Sequence, residues 1–465
     1  MGERGATDLD ISALAAAIAA RRLAATDVIA DHLERAVASD LNAFTMIDAD
    51  RALEAAADID ARLELGTDVG PLAGIPIGVK DLIDHAERPN TRGSKLPAPI
   101  PTATAPALAR LEAAGAVVIG RTGLHEFAFG FSSENHWFGP VRNPWDPTLS
   151  PGGSSGGSGA AVAASLCHAA LGTDTGGSVR VPAALCGIVG LKVSHGRVPL
   201  TGVYPLAASI DTVGPLARSV ADAALVYGIM AGDDPGDPWS APRPVVVPDN
   251  AAELREVTIG IPHPWIDQPA TDEVRAAFDT AIGSLANAGV EVIDLDLPVL
   301  DPPGLMEAAM YPEVAAVHRH QWRDSPESYG PDVHKRMEAV FTYDADDLVA
   351  GRRWQQACHH QAQRAFDRCD VLVTPTVAAL HKPIGVEEIE VAGEMVSYRG
   401  PLSRFTALVN HIGCPALAVP LPASPPGPPP SLQLIGPRWS EDRLLAIGLA
   451  LEEAGIVACT PPPAR

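Results

Sequence analysis

Apolar residues recur along the chain either at helical spacing or in short continuous runs that are typical of buried strands. Within residues 8–38, the spacing of Ile11, Leu14 and Ile18 predicts a first helix, and Thr26 begins a second. Further helices are predicted over 49–65, 106–115, 160–164, 219–230, 271–288, 305–322 and 346–368. Strands are predicted over 75–79, 116–120, 257–261, 290–295, 371–374, 414–420 and 431–435. This alternation predicts the α/β class.

A length of 465 residues suits one large domain or two ordinary ones. Residues 233–250 are rich in proline and aspartate and lack periodicity, which predicts a surface linker. We expect a single domain over 1–465 with four parts. These are N-terminal helices (1–65), a core that carries the motifs described below (66–232), a variable region (233–400) and strands that close the sheet (401–465).

The charge and cysteine content exclude several classes of protein. The chain carries 57 acidic and 34 basic residues, a net charge of −23, which repels polyanions, so no nucleic-acid partner is expected. Six cysteines are scattered without Cys-x-x-Cys pairs, which argues against a zinc site or a disulfide framework and suits the cytoplasm. The beginning of the chain lacks an apolar signal core, and no apolar run of about 18 residues occurs, so neither secretion nor membrane association is expected.

Two turns rich in glycine and serine stand out from this background. Residues 152–159 consist only of Gly and Ser, so they cannot form a core but can adopt unusual backbone conformations and leave hydroxyls exposed. An alanine-rich helix follows, and then a second turn over 172–178. A turn, a helix and a second turn can bring Ser154 and Ser178 close together.

The sequence of these motifs resembles the amidase signature family of serine hydrolases. The resemblance is carried by GGSSGGSGAA at 152–161, GTDTGGSVR at 172–180 and CGIVGLK at 186–192. The run GIPIGVKD at 74–81 is similar to the strand-end motif in which this family places a lysine. The resemblance covers nearly the whole chain and is weakest over 233–399. It implies the amidase signature fold, a single large α/β domain with a central mixed sheet flanked by helices on both faces. It also places the signature motif in the core over 66–232.

Amide hydrolysis needs a nucleophile, a base and donors for the oxyanion. The resemblance implies Ser178 as the nucleophile, Lys80 as the base and Ser154 as the bridge between them, held in the family through a cis peptide. The backbone N–H groups of the turn would form the oxyanion hole, namely those of Thr175, Gly176, Gly177 and Ser178. Two plainer interpretations stay open: Ser178 as a helix N-cap and Lys80 as an ordinary solvated lysine.

Three further residues are candidates for supporting roles, and two of them, Asp174 and Arg180, match family positions near the nucleophile. Ser155 is a candidate supporting donor, and Asp174 and Arg180 have either structural or directly catalytic roles. Residues 152–156 also fit the G-x-S-x-G pattern of a nucleophile elbow, but no strand precedes them. The same loop could be mistaken for a phosphate-binding loop, but it lacks the Gly-Lys pair of a Walker motif. No H-E-x-x-H pattern occurs, and neither a metal nor a cofactor is expected.

Specificity is harder to predict than chemistry. Leu124, Phe129 and Phe131 are candidates to line an apolar acyl or aryl pocket, with simple core packing as the alternative. Residues 301–399 are the least familiar part and are expected to shape this pocket.

We therefore expect an amidohydrolase that cleaves small carboxylic amides, with esters and carbamates as close variants of the same acyl-enzyme chemistry. The alternative is the glutaminase subunit of a tRNA-dependent amidotransferase, which would need partner subunits. The acidic balance and Phe131 argue against it. A non-catalytic scaffold is the least favoured, because Lys80, Ser154 and Ser178 are all present. The expected partner is a small-molecule amide or carbamate, and a homodimer stays open.

Overall fold

The computed structural model describes residues 5–298, 304–422 and 427–463. Its α-helices are α1 (Ile11–Ala19), α2 (Ala25–Ala38), α3 (Ala49–Glu64), α4 (Pro106–Ala113), α5 (Gly156–Ala163), α6 (Arg180–Cys186), α7 (Val220–Met230), α8 (Asp272–Asn287), α9 (Leu305–Asp324), α10 (Pro331–Val340), α11 (Ala345–Phe366), α12 (Arg399–Ser403), α13 (Ala407–His411) and α14 (Glu441–Glu453). Its strands are β1 (Phe44–Ile47), β2 (Pro76–Lys80), β3 (Val117–Thr122), β4 (Glu134–Asn135), β5 (Gly139–Pro140), β6 (Ala169–Asp174), β7 (Val189–Lys192), β8 (Thr212–Ala217), β9 (Thr258–Pro264), β10 (Glu291–Leu297), β11 (Val371–Pro375), β12 (Glu388–Val391), β13 (Glu394–Ser397), β14 (Ala416–Pro420) and β15 (Ser431–Ile435).

Eleven strands form one large mixed sheet in the order β1-β3-β2-β6-β8-β7-β14-β15-β11-β9-β10. Strands β2, β3 and β6 run parallel, as do β9, β10 and β11. Antiparallel pairs such as β6–β8, β7–β14 and β11–β15 join the two parallel groups. The predicted class is therefore confirmed: one large α/β domain with a mixed sheet flanked by helices. The four predicted parts include residues that lie outside the described ones, namely 1–4, 299–303, 423–426 and 464–465.

Three central strands, β6, β7 and β8, were not predicted, and two of them lack an apolar run. Strand β6 has the sequence AALGTD and β8 has TVGPLA, so both lack the apolar runs used above to identify strands. Every residue of both strands is buried, because each strand has neighbours on both sides and helices packed against it. Burial from the sheet, rather than strand propensity, sets their conformation. The second Gly/Ser turn consequently begins only after Asp174, three residues later than predicted.

Helix α5 begins earlier than predicted, inside the Gly/Ser run, at Gly156. Glycine is a poor helix former, but here close packing requires it. A Cβ on Gly157 would lie 2.3 Å from the backbone nitrogen of Gly123, and the Gly157 N–H donates to the Gly123 carbonyl. The run therefore serves both as a turn and as a closely packed helix start.

Three further features concern the linker, the cysteines and the length of the helices. Residues 233–250 contain no helix or strand, as predicted for a linker. All six cysteines are free thiols. Across 5–298, 304–422 and 427–463, no helix combines the length and apolar character that crossing a membrane requires.

Candidate active site

Lys80 lies at the end of β2, in the middle of the sheet, and its side chain is completely buried. Its Nζ donates to Ser154 Oγ at 2.8 Å and to Thr173 Oγ1 at 2.7 Å. The interpretation of Lys80 as a solvated lysine is therefore wrong. The structure joins Lys80 directly to one of the two predicted serines.

Burial also changes the acid–base properties of this amine. Removal from water lowers the pKa of Lys80 to about 7, although the negative charges of Asp174 and Asp211 act in the opposite direction. An ordinary lysine has a pKa near 10.4 and is almost fully protonated at neutral pH. The buried amine of Lys80 is thus able to accept a proton near neutral pH.

Ser154 connects the first Gly/Ser turn to the second. The peptide bond between Gly153 and Ser154 is cis, as the resemblance implied. The Ser154 carbonyl accepts hydrogen bonds from the His125 N–H and from Ser133 Oγ, each at 3.1 Å. The next N–H, that of Ser155, donates to the Ser178 carbonyl at 3.3 Å. The predicted proximity of the two turns is confirmed at the level of the backbone.

Ser178 lies in the turn between β6 and α6 and does not cap that helix. The N-cap position of α6 is Val179, and no side chain caps it. Ser178 instead lines a cavity that is described below. The helix-cap interpretation of Ser178 is therefore wrong.

Asp174 shapes the turn that carries Ser178. Its carboxylate accepts the N–H groups of Gly177 at 2.7 Å and Val179 at 3.1 Å. Gly177 has a φ of +132°, and a Cβ there would lie 2.3 Å from Thr406 Oγ1, so only glycine fits. Because the Gly177 amide donates to Asp174, it is not free to bind an oxyanion. This corrects the predicted set of donors, and Thr175, Gly176 and Ser178 remain as candidates.

Arg180 holds Asp174 in place from the other side. The two side chains are completely buried and form an ion pair, with Nη2 at 2.9 Å and Nε at 3.0 Å from the carboxylate. Burial alone would raise the pKa of Asp174, but the Arg180 charge holds it well below its usual range. Arg180 also donates to Gln433 Oε1 and Asn410 Oδ1, each at 2.6 Å. These contacts favour the structural over the directly catalytic interpretation of both residues.

Two buried residues near Lys80 were missed from the sequence. Thr173 is the second partner of the Lys80 amine, and Ser155 Oγ lies 3.2 Å from both the nitrogen and the carbonyl oxygen of Thr173. Asp211 accepts a hydrogen bond from Thr175 Oγ1 at 2.5 Å, and burial raises its pKa to about 6. Thr173 could have been identified from its place inside the GTDTGGS motif, whereas Asp211 lies in none of the motifs quoted above.

A cavity of about 570 Å³ opens above Ser178, with Thr175 and Gly176 also in its wall. Phe129 and Phe131 line it, and the Phe131 ring lies close above Gly176. Leu124 does not belong to the wall. It packs in a separate buried cluster with Leu82, Ala128 and Tyr204, so the structure corrects its predicted pocket role.

The remaining wall of the cavity combines apolar with charged side chains and comes largely from the variable region. Arg336 lies over the Phe129 ring at 4.8 Å, and Tyr311 meets the same ring edge-on at 5.8 Å. The charged residues of the wall are Glu307, Arg336, Arg399 and Arg404. Three cations and one carboxylate thus face a single cavity in a chain whose net charge is strongly negative.

Known proteins share this arrangement of motifs. The family model Amidase matches residues 27–445. In Desulforapulum autotrophicum, the A component of glutamyl-tRNA(Gln) amidotransferase is 38% identical over 451 residues, which cover 89% of this chain and 90% of the relative. AtzE of Pseudomonas sp. (strain ADP), which belongs to a 1-carboxybiuret hydrolase, is 37% identical, covering 94% of this chain and 97% of the relative.

The fold is shared as well as the sequence. A solved structure described as an unexpected vestigial protein complex, which reveals the origins of an s-triazine catabolic enzyme, superposes with a TM-score of 0.91. It is 35% identical and covers 97% of this chain and 100% of its own. Sequence and fold agree over almost the full length, and the chain therefore belongs to the amidase family of amidase signature enzymes, hydrolases that act on amide C–N bonds.

Proposed function

We propose that the protein hydrolyses small carboxylic amides through an acyl-enzyme on Ser178. The observation that carries the proposal is the buried amine of Lys80, 2.8 Å from Ser154 Oγ, beneath a cavity that Ser178 lines. A buried lysine with a pKa of about 7 and two hydroxyl partners suits a base that works near neutral pH.

The reaction begins with a proton relay. Neutral Lys80 takes the proton of Ser154 Oγ while Ser154 takes the proton of Ser178 Oγ, which attacks the amide carbon. Negative charge then develops on the carbonyl oxygen and is met by backbone N–H groups of Thr175, Gly176 and Ser178. Each such donor contributes roughly 3–4 kcal/mol to the stability of the transition state.

The same relay then runs in reverse. Protonated Lys80 returns its proton through Ser154 to the nitrogen of the substrate, and the C–N bond breaks with release of the amine. Water attacks the remaining ester on Ser178, with Lys80 and Ser154 again accepting its proton. Release of the carboxylic acid restores the free hydroxyl of Ser178.

The cavity favours a substrate with an apolar body and a polar end. Phe129, Phe131 and Tyr311 provide aromatic contacts, and the arginines Arg336 and Arg399 suit an acidic or hydrogen-bond-accepting group. Esters and carbamates would react by the same steps, because each places a leaving group on a carbonyl carbon. A cytoplasmic location would fit the free cysteines.

A second candidate is the glutaminase subunit of an amidotransferase. It is supported by the curated relatives from glutamyl-tRNA(Gln) amidotransferases and by the mixed charges of the cavity wall. Glutamine carries a carboxylate, which Arg336 would attract, and an ammonium group, which Glu307 would attract. This function would require partner subunits, whereas the first would need none beyond an optional second copy of the chain.

The purified chain should be screened against aryl amides, aliphatic amides, carbamates and glutamine, with ammonia and amine release as readouts. A fluorophosphonate should label Ser178, as located by peptide mapping, and Ser178→Ala should abolish the label. Hydrolysis of several amides with no ammonia from glutamine supports the first candidate. Glutamine as the sole substrate supports the second, and a wild-type chain without any label contradicts both.

A further inference from the structure

Helix α10 of the variable region docks against the segment that supports Ser154. Its N-cap residue Gly330 donates its N–H to Glu126 Oε2 at 2.8 Å. In the first turn of the helix, Asp332 Oδ2 lies 2.7 Å from Nε2 of His125. The adjacent pair His125 and Glu126 thus receives both contacts, although more than 200 residues separate it from the helix along the chain.

His125 links this contact to the reactive serines. Its backbone N–H donates to the Ser154 carbonyl at 3.1 Å, while its imidazole is buried. Its Nε2 lies 2.7 Å from the Asp332 carboxylate and 2.9 Å from Arg336 Nη2, so the ring contacts both members of this ion pair. Its Nδ1 faces the Ser132 hydroxyl at 3.5 Å. One residue therefore holds Ser154 with its backbone and Asp332 with its side chain.

Asp332 also holds two cations of the cavity wall. Arg336 Nη2 donates to Oδ2 at 2.9 Å, and Arg399 Nη2 donates to Oδ1 at 2.6 Å. Both arginines line the cavity, whereas Asp332 lies behind them. Three polar groups from three elements thus converge on this one carboxylate, because His125, Arg336 and Arg399 lie in the 125–128 turn, in α10 and at the start of α12.

We propose that Asp332 is a positioning residue, which orients Arg336 and Arg399 toward the substrate and, through His125, fixes the backbone that carries Ser154. The proposal rests on the proposed function of Ser178 and adds that the variable region acts on catalysis as well as on pocket shape. Removing the carboxylate charge should therefore weaken substrate binding and slow the activation of Ser178 together.

The two consequences need separate measurements. The rate constant for fluorophosphonate labelling of Ser178 reports activation of the nucleophile, and KM for an amide with a carboxylate group reports the arginines. Asp332→Asn should slow labelling about 10- to 100-fold, as small displacements of catalytic groups do, and should raise KM. The matched control is Asp272→Asn, since Asp272 is also in the first turn of a helix but is exposed and distant in the chain. It should change neither value.

His125 provides a second test that does not depend on the folding of Asp332→Asn. His125→Phe removes the polar contact with Asp332 and should slow labelling, whereas His125→Gln keeps a side-chain amide that can hydrogen-bond to Asp332 and should restore it. The double variant Asp332→Asn/His125→Phe should label no more slowly than its slower parent, because both changes break one contact. The proposal would be overturned by a wild-type labelling rate in His125→Phe or by an unchanged KM in Asp332→Asn. It would also be overturned if the labelling rate of the double variant fell by the product of the two single-variant losses. If the wild-type chain itself is not labelled, the proposed function fails instead.

Discussion

The buried amine of Lys80 makes folding stability and activity depend on pH in a way that can be measured. Its pKa is about 7, against 10.5 for the ordinary side chain. This difference corresponds to about 5 kcal/mol in favour of the neutral form. Lys80→Met removes the amine while keeping an unbranched side chain, so comparing it with the wild-type protein isolates this contribution.

The sign of the effect follows from proton binding. Between about pH 7 and pH 10.5 the unfolded chain holds a proton on Lys80 that the folded protein has lost. The free energy of unfolding of the wild-type protein therefore rises with pH in this window. Below it, Lys80 is protonated in both states and its full cost to folding is present. Over two pH units inside the window, the wild-type protein should gain about 2.7 kcal/mol relative to Lys80→Met.

The change with pH in the difference between the two free energies of unfolding is more informative than the size of that difference at any one pH. Lys80→Met leaves the hydroxyls of Ser154 and Thr173 without their partner, which costs about 1–3 kcal/mol for each but does not vary with pH. Lys192, another buried lysine with a pKa of about 7, is present in both proteins and cancels from the comparison. Urea unfolding followed by tryptophan fluorescence between pH 7 and pH 9.5 would measure the difference. A difference that stays constant over this range would refute the buried neutral amine.

Activity should follow the same titration. Because only the neutral amine can accept a proton, kcat/KM should fall on the acid side with an apparent pKa of about 7. The negative charge of Asp211 raises the pKa of Lys80, so Asp211→Asn should move this acid-side fall in kcat/KM, the acid limb, toward lower pH. The Asp211 carboxyl itself has a pKa of about 6, and loss of the limb in Asp211→Asn would assign the titration to it instead. Lys192→Met should leave the limb in place.

Three further substitutions test individual parts of the site. Ser178→Ala should lower kcat by several orders of magnitude without lowering Tm, and activity within about tenfold of wild type would exclude Ser178 as the nucleophile. Phe131→Ala should change the ranking of bulky against small amides, as measured by kcat/KM; one common factor for all substrates together with a lower Tm would indicate core packing instead. Thr173→Val removes one of the two partners of the Lys80 amine and should lower kcat, whereas Thr173→Ser should retain most of the activity. Wild-type kcat in both variants would show that the hydroxyl is dispensable.

Local sequence was sufficient for the long helices, and its motifs singled out the residues that we propose to be reactive. Apolar spacing predicted the long helices α8, α9 and α11, because one buried face imposes its period on the sequence. The Gly/Ser runs pointed to Ser154 and Ser178 through their resemblance to the family motifs, whereas the expectation that such runs leave hydroxyls exposed was wrong, because both serines are buried. The motif around Lys80 placed this residue at a strand end, where the structure has it.

Only the tertiary structure decided which groups touch. Strands β6 and β8 are buried by their neighbours in the sheet, so their own residues carry no strand pattern. The choice between Leu124 in the core and Phe131 in the cavity wall depends on how separate segments pack, which periodicity does not record.

The electrostatics of the site were likewise set by folding. The pKa of Lys80 is lowered because the sheet removes its amine from water, an effect that no neighbouring residue in the sequence produces. The Gly177 amide was assigned to the oxyanion hole from the motif, yet it binds Asp174 once the turn is formed. Asp332 and His125 meet across 207 residues. Sequence patterns report which side chains are buried, whereas hydrogen-bond partners and dielectric environment arise only when distant segments come together.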